Sequence, residues 1–353
     1  MKKISAVICE LNPLHDGHRH IFGEAKKCSD VLIAIMSGNF VQRGETAVYD
    51  KYKRAQSAIS AGADIVLELP FPFSSSSAEY FACAGVHIAE SVGADTLYFG
   101  SECGDVEILR KCAEIMNSEE YRRAMTVGRS AELRSLYLKD KLPELPLSVL
   151  ESPNDILGVE YCRFASIDTV AVKRISTESA SSIRMRRLKD ENSDMLDPTR
   201  LFQLEYNKFR TQRSVDPDIA ECTGGVGERL YNTAFKASNY SEWIEAVKTK
   251  QYTNARLRRA ALFYLCGVSE DDISEKPYFT KLLAVNSNGI DYLSDIKKCC
   301  DFPIITSARE RKNLSEKALK QYLLSEFADT VYSLCLGETD PCLFSRIPPV
   351  INR

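Results

Sequence analysis

Three of the chain's four histidines, His15, His18 and His20, fall inside the stretch "ELNPLHDGHRHIF" (10–22), and the fourth, His87, stands alone. Imidazoles grouped in this way can donate hydrogen bonds that follow charge as it develops on a phosphate oxygen. Before them runs "KISAVICEL" (3–11), short, apolar and partly β-branched, which reads as a buried strand. Asn12, Pro13, Asp16 and Gly17 are turn formers, and Ile21, Phe22 and Ala25 have helical spacing, so a helix is expected to begin near His18. A strand, a tight turn and a helix N-terminus make an anion site, because free backbone N–H groups and the helix dipole point the same way. Gly17 carries no side chain to hold a ligand off the backbone. A metal site and a surface histidine patch are the other readings; the chain has no matching CxxC and no HExxH.

A second group, "SASSIRMRRL" (179–188), places hydroxyls and an arginine at the start of a helix. Ser181 and Ser182 can donate to phosphate oxygens, and Arg184 can hold two oxygens in a planar fork. An ordinary capped helix with a basic face would read the same way. A third group, "VKTKQYTNARLRR" (247–259), carries Lys248, Lys250, Arg256, Arg258 and Arg259 with Tyr252 and no acidic residue. Such a stripe suits RNA phosphates with one stacking aromatic, although a solvated helix face shares the pattern. "TGGVGER" (223–229) looks like a phosphate loop, but it follows a helical stretch and lacks the lysine of a P-loop, so a helix junction is expected.

These groups need elements to position them. Four further runs resemble the first strand: "DVLIAIMSG" (30–38), "ADIVLELP" (63–70), "ADTLYFGSE" (94–102) and "IDTVAVKRI" (167–175). Amphipathic helical patterns lie between them, which predicts an α/β fold with a doubly wound, parallel five-stranded sheet. Ligands in such sheets bind beyond the carboxyl ends of the strands. That rule selects "NPLHDGH", "GNFVQRGE", "PFPFSSSSAE", "GSE" and "KRISTES". Ser77 is the expected N-cap after the serine run. The pattern then turns helical, giving an expected division into residues 1–195 and a mainly helical domain, 196–353, with room for a strand near "YFTKLLAVN" (278–286).

A chain of 353 residues with 44% hydrophobic content can bury a substantial core. Its net charge of −3 excludes a global field that would draw it to nucleic acid, so any RNA contact must be local. No apolar run approaches the ~20 residues of a membrane span, and the first strand follows the N-terminus directly, so a cytoplasmic protein without membrane contact is expected. The 12 cysteines are then read as reduced thiols rather than disulfides or metal ligands.

"HxGH" after the first strand and a serine–arginine motif after the fifth resemble the HxGH nucleotidylyltransferase superfamily. More narrowly, "NPLHDGHRHI", "MSGNFVQRGE", "KYKRAQSAISAGADIVLELPF", "SAEYFA", "FGSE", "PNDILGVEYCR", "KRI", "SASSIR", "KTKQYTNARLRR" and "FPIITS" resemble the bacterial tRNA(Met) cytidine acetate ligases, in the family's order. The resemblance implies a Rossmann-like ATP-binding domain. It also implies a reaction in which acetate attacks the α-phosphate of ATP and the acetyl group passes to N4 of the wobble cytidine of elongator tRNA(Met). His15, His18 and Arg184 would be catalytic, and Mg²⁺ would assist. ATP would contact Val7, Asn12, Pro13, Leu14, Gly17 and His20 in the first block. Gly100 would lie against adenosine, Asn154 would touch the nucleotide, and Lys173, Arg174, Ser181 and Ser182 would take the phosphates. For Asn154, a helix N-cap is an equally available role.

The chain differs from the family pattern in three places. Only "ISTE" separates Arg174 from Ser179, where the family carries a longer segment with a Tyr-His-Asp triplet. Gln251 stands where the family prefers a basic residue, and residues 126–150 lack its aromatic–proline block. Two other readings therefore stay open: a nucleotidylyltransferase for another small phosphate or carboxylate, and a non-catalytic nucleotide- or RNA-binding relative.

Overall fold

The computed structural model describes residues 2–125, 131–190, 193–249 and 252–352. The five expected strands are β1 (Ile4–Cys9), β2 (Val31–Ser37), β3 (Ile65–Leu69), β4 (Thr96–Ser101) and β5 (Asp168–Lys173). They lie side by side in the order β3-β2-β1-β4-β5, every pair parallel. Strand number needs correction, since the described residues form an eight-stranded sheet. The run near 278–286 is a strand, β6 (Thr280–Asn286), and it pairs antiparallel with β3. Two short strands, β7 (Ile304–Ile305) and β8 (Val350–Asn352), pair in parallel with β6. The chain after residue 196 thus returns to complete the sheet. Thr280 ties the join, its hydroxyl donating to the Glu68 carbonyl at 2.7 Å.

Side chains alternate across the sheet because successive residues of a strand point to opposite faces. Val7 and Cys9 of β1, with Leu32, Ala34 and Met36 of β2, face one side. There they meet α1 (Asp16–Lys27) and α2 (Lys51–Ser60). Ile4, Ala6 and Ile8, with Val31, Ile33 and Ile35, face the other side. That side is covered by α3 (Ala78–Ser91), α4 (Val106–Asn117) and α5 (Pro153–Phe164). Ser77 is the N-cap of α3, as the sequence indicated.

Helices α6 (Ala180–Arg187) and α7 (Thr199–Thr211) follow β5. With α8 (Val226–Ala234), α9 (Tyr240–Val247) and α10 (Asn254–Cys266), α7 encloses the chain's single tryptophan. Trp243 is fully buried and donates from Nε1 to the Leu230 carbonyl at 3.0 Å, so the indole is satisfied where water cannot reach it. Gly224 and Gly225, both with positive φ, open α8, so "TGGVGER" is a helix junction.

The helical unit and the sheet share one core, and a hairpin pins them together. Phe40–Val41 pairs with Glu45–Thr46, and Gly44 between them has φ +71°. A Cβ at Gly44 would stand 2.6 Å from the Arg259 nitrogen, so only glycine lets this turn touch the middle of α10. The last long helix, α11 (Glu316–Leu336), closes over the same region. Its Asp329 accepts from Lys51 Nζ at 2.6 Å, and Lys51 also reaches Glu68 at 2.8 Å, all three side chains being buried. Among the described residues no helix is long and apolar enough to cross a membrane.

Candidate active site

The loops after β1, β4 and β5 meet at one edge of the sheet because those strands are parallel neighbours in register: Val7 faces Tyr98, and Ser101 faces Lys173. Helix α1 starts two residues earlier than expected, at Asp16, with His15 as its N-cap. His15 Nδ1 accepts from the Gly17 N–H at 3.0 Å, and His18 Nδ1 accepts from the His15 N–H at 3.3 Å. The two rings lie 3.9 Å apart.

This geometry fixes protonation. Burial, then the charge of Arg174, lowers the His15 pKa, with Asp16 opposing. For His18, burial with His15 and Arg174 brings it down to about 3. Both imidazoles are therefore neutral near pH 7, and an Nδ1 that accepts leaves the proton on Nε2. Two Nε2–H donors result. The backbone contributes less than the sequence suggested, because the Gly17 and His18 N–H groups are already spent on His15. The space left by Gly17 is likewise taken by the His15 ring, since a Cβ there would stand 2.8 Å from Cε1.

Across the site Asn12 is a buried joint. Its side-chain oxygen accepts from the Val48 N–H at 2.9 Å, and its carbonyl accepts from Arg184 Nη1 at 2.5 Å. Arg184 Nη2 reaches Ser181 Oγ at 3.1 Å, while Ser179, the N-cap of α6, accepts from the Ser182 N–H at 3.1 Å. The serine–arginine motif is thus folded onto the HxGH loop. Burial lowers the Arg184 pKa, Glu10 opposing and Arg43 assisting, but a guanidinium stays charged.

The third corner is one carboxylate. Glu102 Oε1 accepts from Asn154 Nδ2 at 2.7 Å and from Arg174 Nη1 at 2.8 Å, while Oε2 is buried without a partner. Asn154 is not the N-cap of α5; that position is Ser152, with Pro153 beginning the helix. Asp155 beside it is fully buried and holds the β4 exit, accepting from Ser101 Oγ at 2.5 Å and from the Glu102 N–H at 2.9 Å.

The other expected contact residues sit in varied surroundings. Val7 is a core residue inside β1. Pro13 is buried and Leu14 half-buried in the loop. His20 sits two residues beyond His18, on another helix face, 3.9 Å from Glu24. A Cβ on Gly100 would stand 2.9 Å from Ile21 Cδ1, so its missing side chain is accounted for by α1 packing against β4. Lys173 and Arg174 are exposed at the end of β5.

The basic stripe is changed most by folding. Arg256 and Arg259 both pair with Glu221, at 3.1 and 2.7 Å, and Arg258 pairs with Glu45. Arg259 is buried. Tyr252 donates to the Gly224 carbonyl at 2.7 Å. Lys248 is exposed beside Glu245, and Lys250 lies outside the described residues. The arginines thus join the helical unit to acidic residues that are distant in sequence, and an exposed basic face is not what they form.

Two residues in the site were not singled out from sequence. Glu102 had a signal, as the last residue of "GSE". Thr177 had the same kind of signal, as a member of "KRISTES": its hydroxyl is buried and unpartnered, 3.5 Å from where a Cβ of Gly17 would be. Among the described residues no group of three or more His, Cys, Asp or Glu could hold a metal ion.

Taken together, two neutral imidazole donors, a guanidinium anchored on their loop and a second guanidinium beside them can stabilise charge on a phosphate undergoing in-line displacement. Comparisons with known proteins agree. A family model described as HIGH Nucleotidyl Transferase matches residues 1–187 and 177–341. A tRNA(Met) cytidine acetate ligase of Acetivibrio thermocellus is 30% identical, covering 94% of this chain and 95% of the relative. The enzyme of that name from Listeria monocytogenes serotype 4b (strain F2365) is 32% identical over 99% and 100%. The crystal structure of Thermotoga maritima TmcAL bound with alpha-thio ATP superposes with a TM-score of 0.86 at 28% identity, covering 99% of this chain and 100% of that one. The chain belongs to the tRNA(Met) cytidine acetate ligase family of HIGH nucleotidyl transferases.

Proposed function

We propose that this protein is an ATP-dependent acetate ligase that acetylates N4 of the wobble cytidine in elongator tRNA(Met). An acetate oxygen attacks the α-phosphorus of ATP, and the bond to the bridging oxygen breaks. Pyrophosphate leaves with the electron pair, and acetyl-adenylate remains. The cytidine N4 then attacks the acyl carbon, the carbon–oxygen bond to AMP breaks, and N4 gives up a proton. Neither step needs a covalent enzyme intermediate, only alignment and charge stabilisation.

His15 and His18 present Nε2–H to the phosphate oxygens, with His18 nearer the developing charge. Arg184 fixes the HxGH loop and offers its positive charge there. Lys173 and Arg174 take the departing pyrophosphate, Arg174 turning from Glu102 to do so. Asn154 and Glu102 hold the nucleoside. Mg²⁺ would arrive on the triphosphate, most of its ligands being phosphate oxygens and water, and no step above runs through it.

The observation that carries this reading is the His15–His18 pair, held neutral with both Nδ1 atoms accepting. The experiment is exchange of labelled pyrophosphate into ATP across a panel of carboxylates, followed by acetylation of tRNA(Met). Acetate-dependent exchange and acetylated cytidine are expected. Exchange with another acid alone would move the protein to a different ligase, and no exchange with any acid would make it a binding protein.

A further inference from the structure

A cavity of about 160 Å³ opens between the hairpin, α6 and the helical unit. Its walls are in part apolar, with Val48, Leu201, Phe202 and Tyr240. Glu45, Arg258 and Arg184 supply the charged part of the lining. An apolar cavity of about 150 Å³ accommodates a single benzene ring, so the size suits one six-membered ring. The cavity is also tied to the reaction site, because Val48 and Arg184 both hydrogen-bond to Asn12, three residues before His15.

Its polar lining has a definite pattern. Glu45 and Arg258 form an ion pair, which sets a carboxylate acceptor beside guanidinium donors. Arg258 is further held by the Tyr240 ring, 5.7 Å from its Cζ. Its Nε is buried and has no hydrogen-bond partner, a donor that something must satisfy. Cytosine presents an amine donor at N4 beside acceptors at N3 and O2, the complement of this edge; uracil presents the reverse at its positions 4 and 3. Enzymes that act on a nucleobase read a base turned out of its stack in this way, by its pairing edge and by apolar or aromatic walls.

We propose that this cavity receives the cytosine base of the acceptor RNA, with Glu45 accepting from N4 and Arg258 donating to the ring acceptors. The proposal rests on the acetylation reading above and names the groups that choose the base. Arg184 then stands between the two half-reactions, one side toward the HxGH loop and the other toward the base.

The test uses anticodon stem-loop RNAs with cytidine, uridine or an abasic residue at the wobble position, titrated against the full-length wild-type chain. Cytidine is expected to bind roughly tenfold or more tighter than uridine or the abasic probe, as one good polar pair to a base edge discriminates. Glu45→Gln is expected to erase the cytidine-over-uridine preference, because the amide offers a donor as well as an acceptor. Equal affinity of the wild-type chain for all three probes overturns the assignment, as does an undiminished preference in Glu45→Gln. Because the probes are varied on the wild type, misfolding of a variant cannot decide the matter. If the wild type acetylates the cytidine stem-loop yet shows no preference in binding, the cavity alone is wrong. If it acetylates no RNA, the functional reading fails and takes this assignment with it.

Discussion

Arg184 Nη1 donates to the main-chain oxygen of Asn12 at 2.5 Å, joining two motifs that lie 172 residues apart. The second arm of the same guanidinium holds Ser181 Oγ at 3.1 Å. Arg184→Lys should therefore be nearly as damaging as Arg184→Ala, because an ammonium cannot span both anchors in one plane. The readout is acetate-dependent pyrophosphate exchange. Full activity in the lysine variant would reduce Arg184 to bulk charge.

His18→Ala should leave the fold intact and lower adenylate formation by about 10²–10³-fold, the effect of removing one donor to a developing charge. Single-turnover formation of acetyl-adenylate measures it, and unchanged turnover would remove His18 from the phosphate site.

The same histidine gives a pH dependence of stability. Its folded pKa, about 3, lies below the ordinary imidazole value of 6.5, so between these values the unfolded chain binds more protons. Stability is then fully present above 6.5 and falls as pH drops, by about 1.4 kcal/mol per unit for this group. Urea unfolding at pH 7, 6 and 5 should give a slope that is smaller by about one proton in His18→Asn. Equal slopes would mean that the ring is not held neutral.

Thr177→Val keeps the shape and removes a buried hydroxyl that has no partner within the protein. Stability should be unchanged or slightly raised, because an unsatisfied buried polar group is a cost. Adenylate formation should fall by roughly tenfold if the hydroxyl donates to phosphate or acetate. A variant as active as the wild type would assign Thr177 to loop packing alone.

The ion pairs of α10 call for a division among the basic residues. Arg259→Ala leaves Glu221 with Arg256 as its one remaining arginine partner and should cost about 1.5–3 kcal/mol of stability, seen in thermal unfolding. Lys248→Ala touches an exposed lysine; it should leave unfolding unchanged while weakening tRNA binding, with the log–log salt slope smaller by roughly 0.7–0.9. If Lys248→Ala binds tRNA with the same affinity and slope, that lysine makes no phosphate contact.

The amino-acid sequence alone determined the five parallel strands, the helices between them and the two motifs that meet at one edge of the sheet. These are local properties: apolar runs, helical spacing and turn residues act within a few positions of themselves. The sequence did not reveal β6, β7 and β8 as members of the same sheet, because pairing with β3 depends on which strand edge remains open after the first five have assembled. Nor did it place Glu45 against Arg258, or Glu221 against Arg256 and Arg259. A run of arginines reads as a free basic surface until folding brings carboxylates from distant positions against it. His15 and His18 belong to both levels. Their spacing announced the chemistry, whereas their neutrality and the position of each proton came from burial, from Arg174 across the site and from the backbone donors that only the formed helix cap supplies.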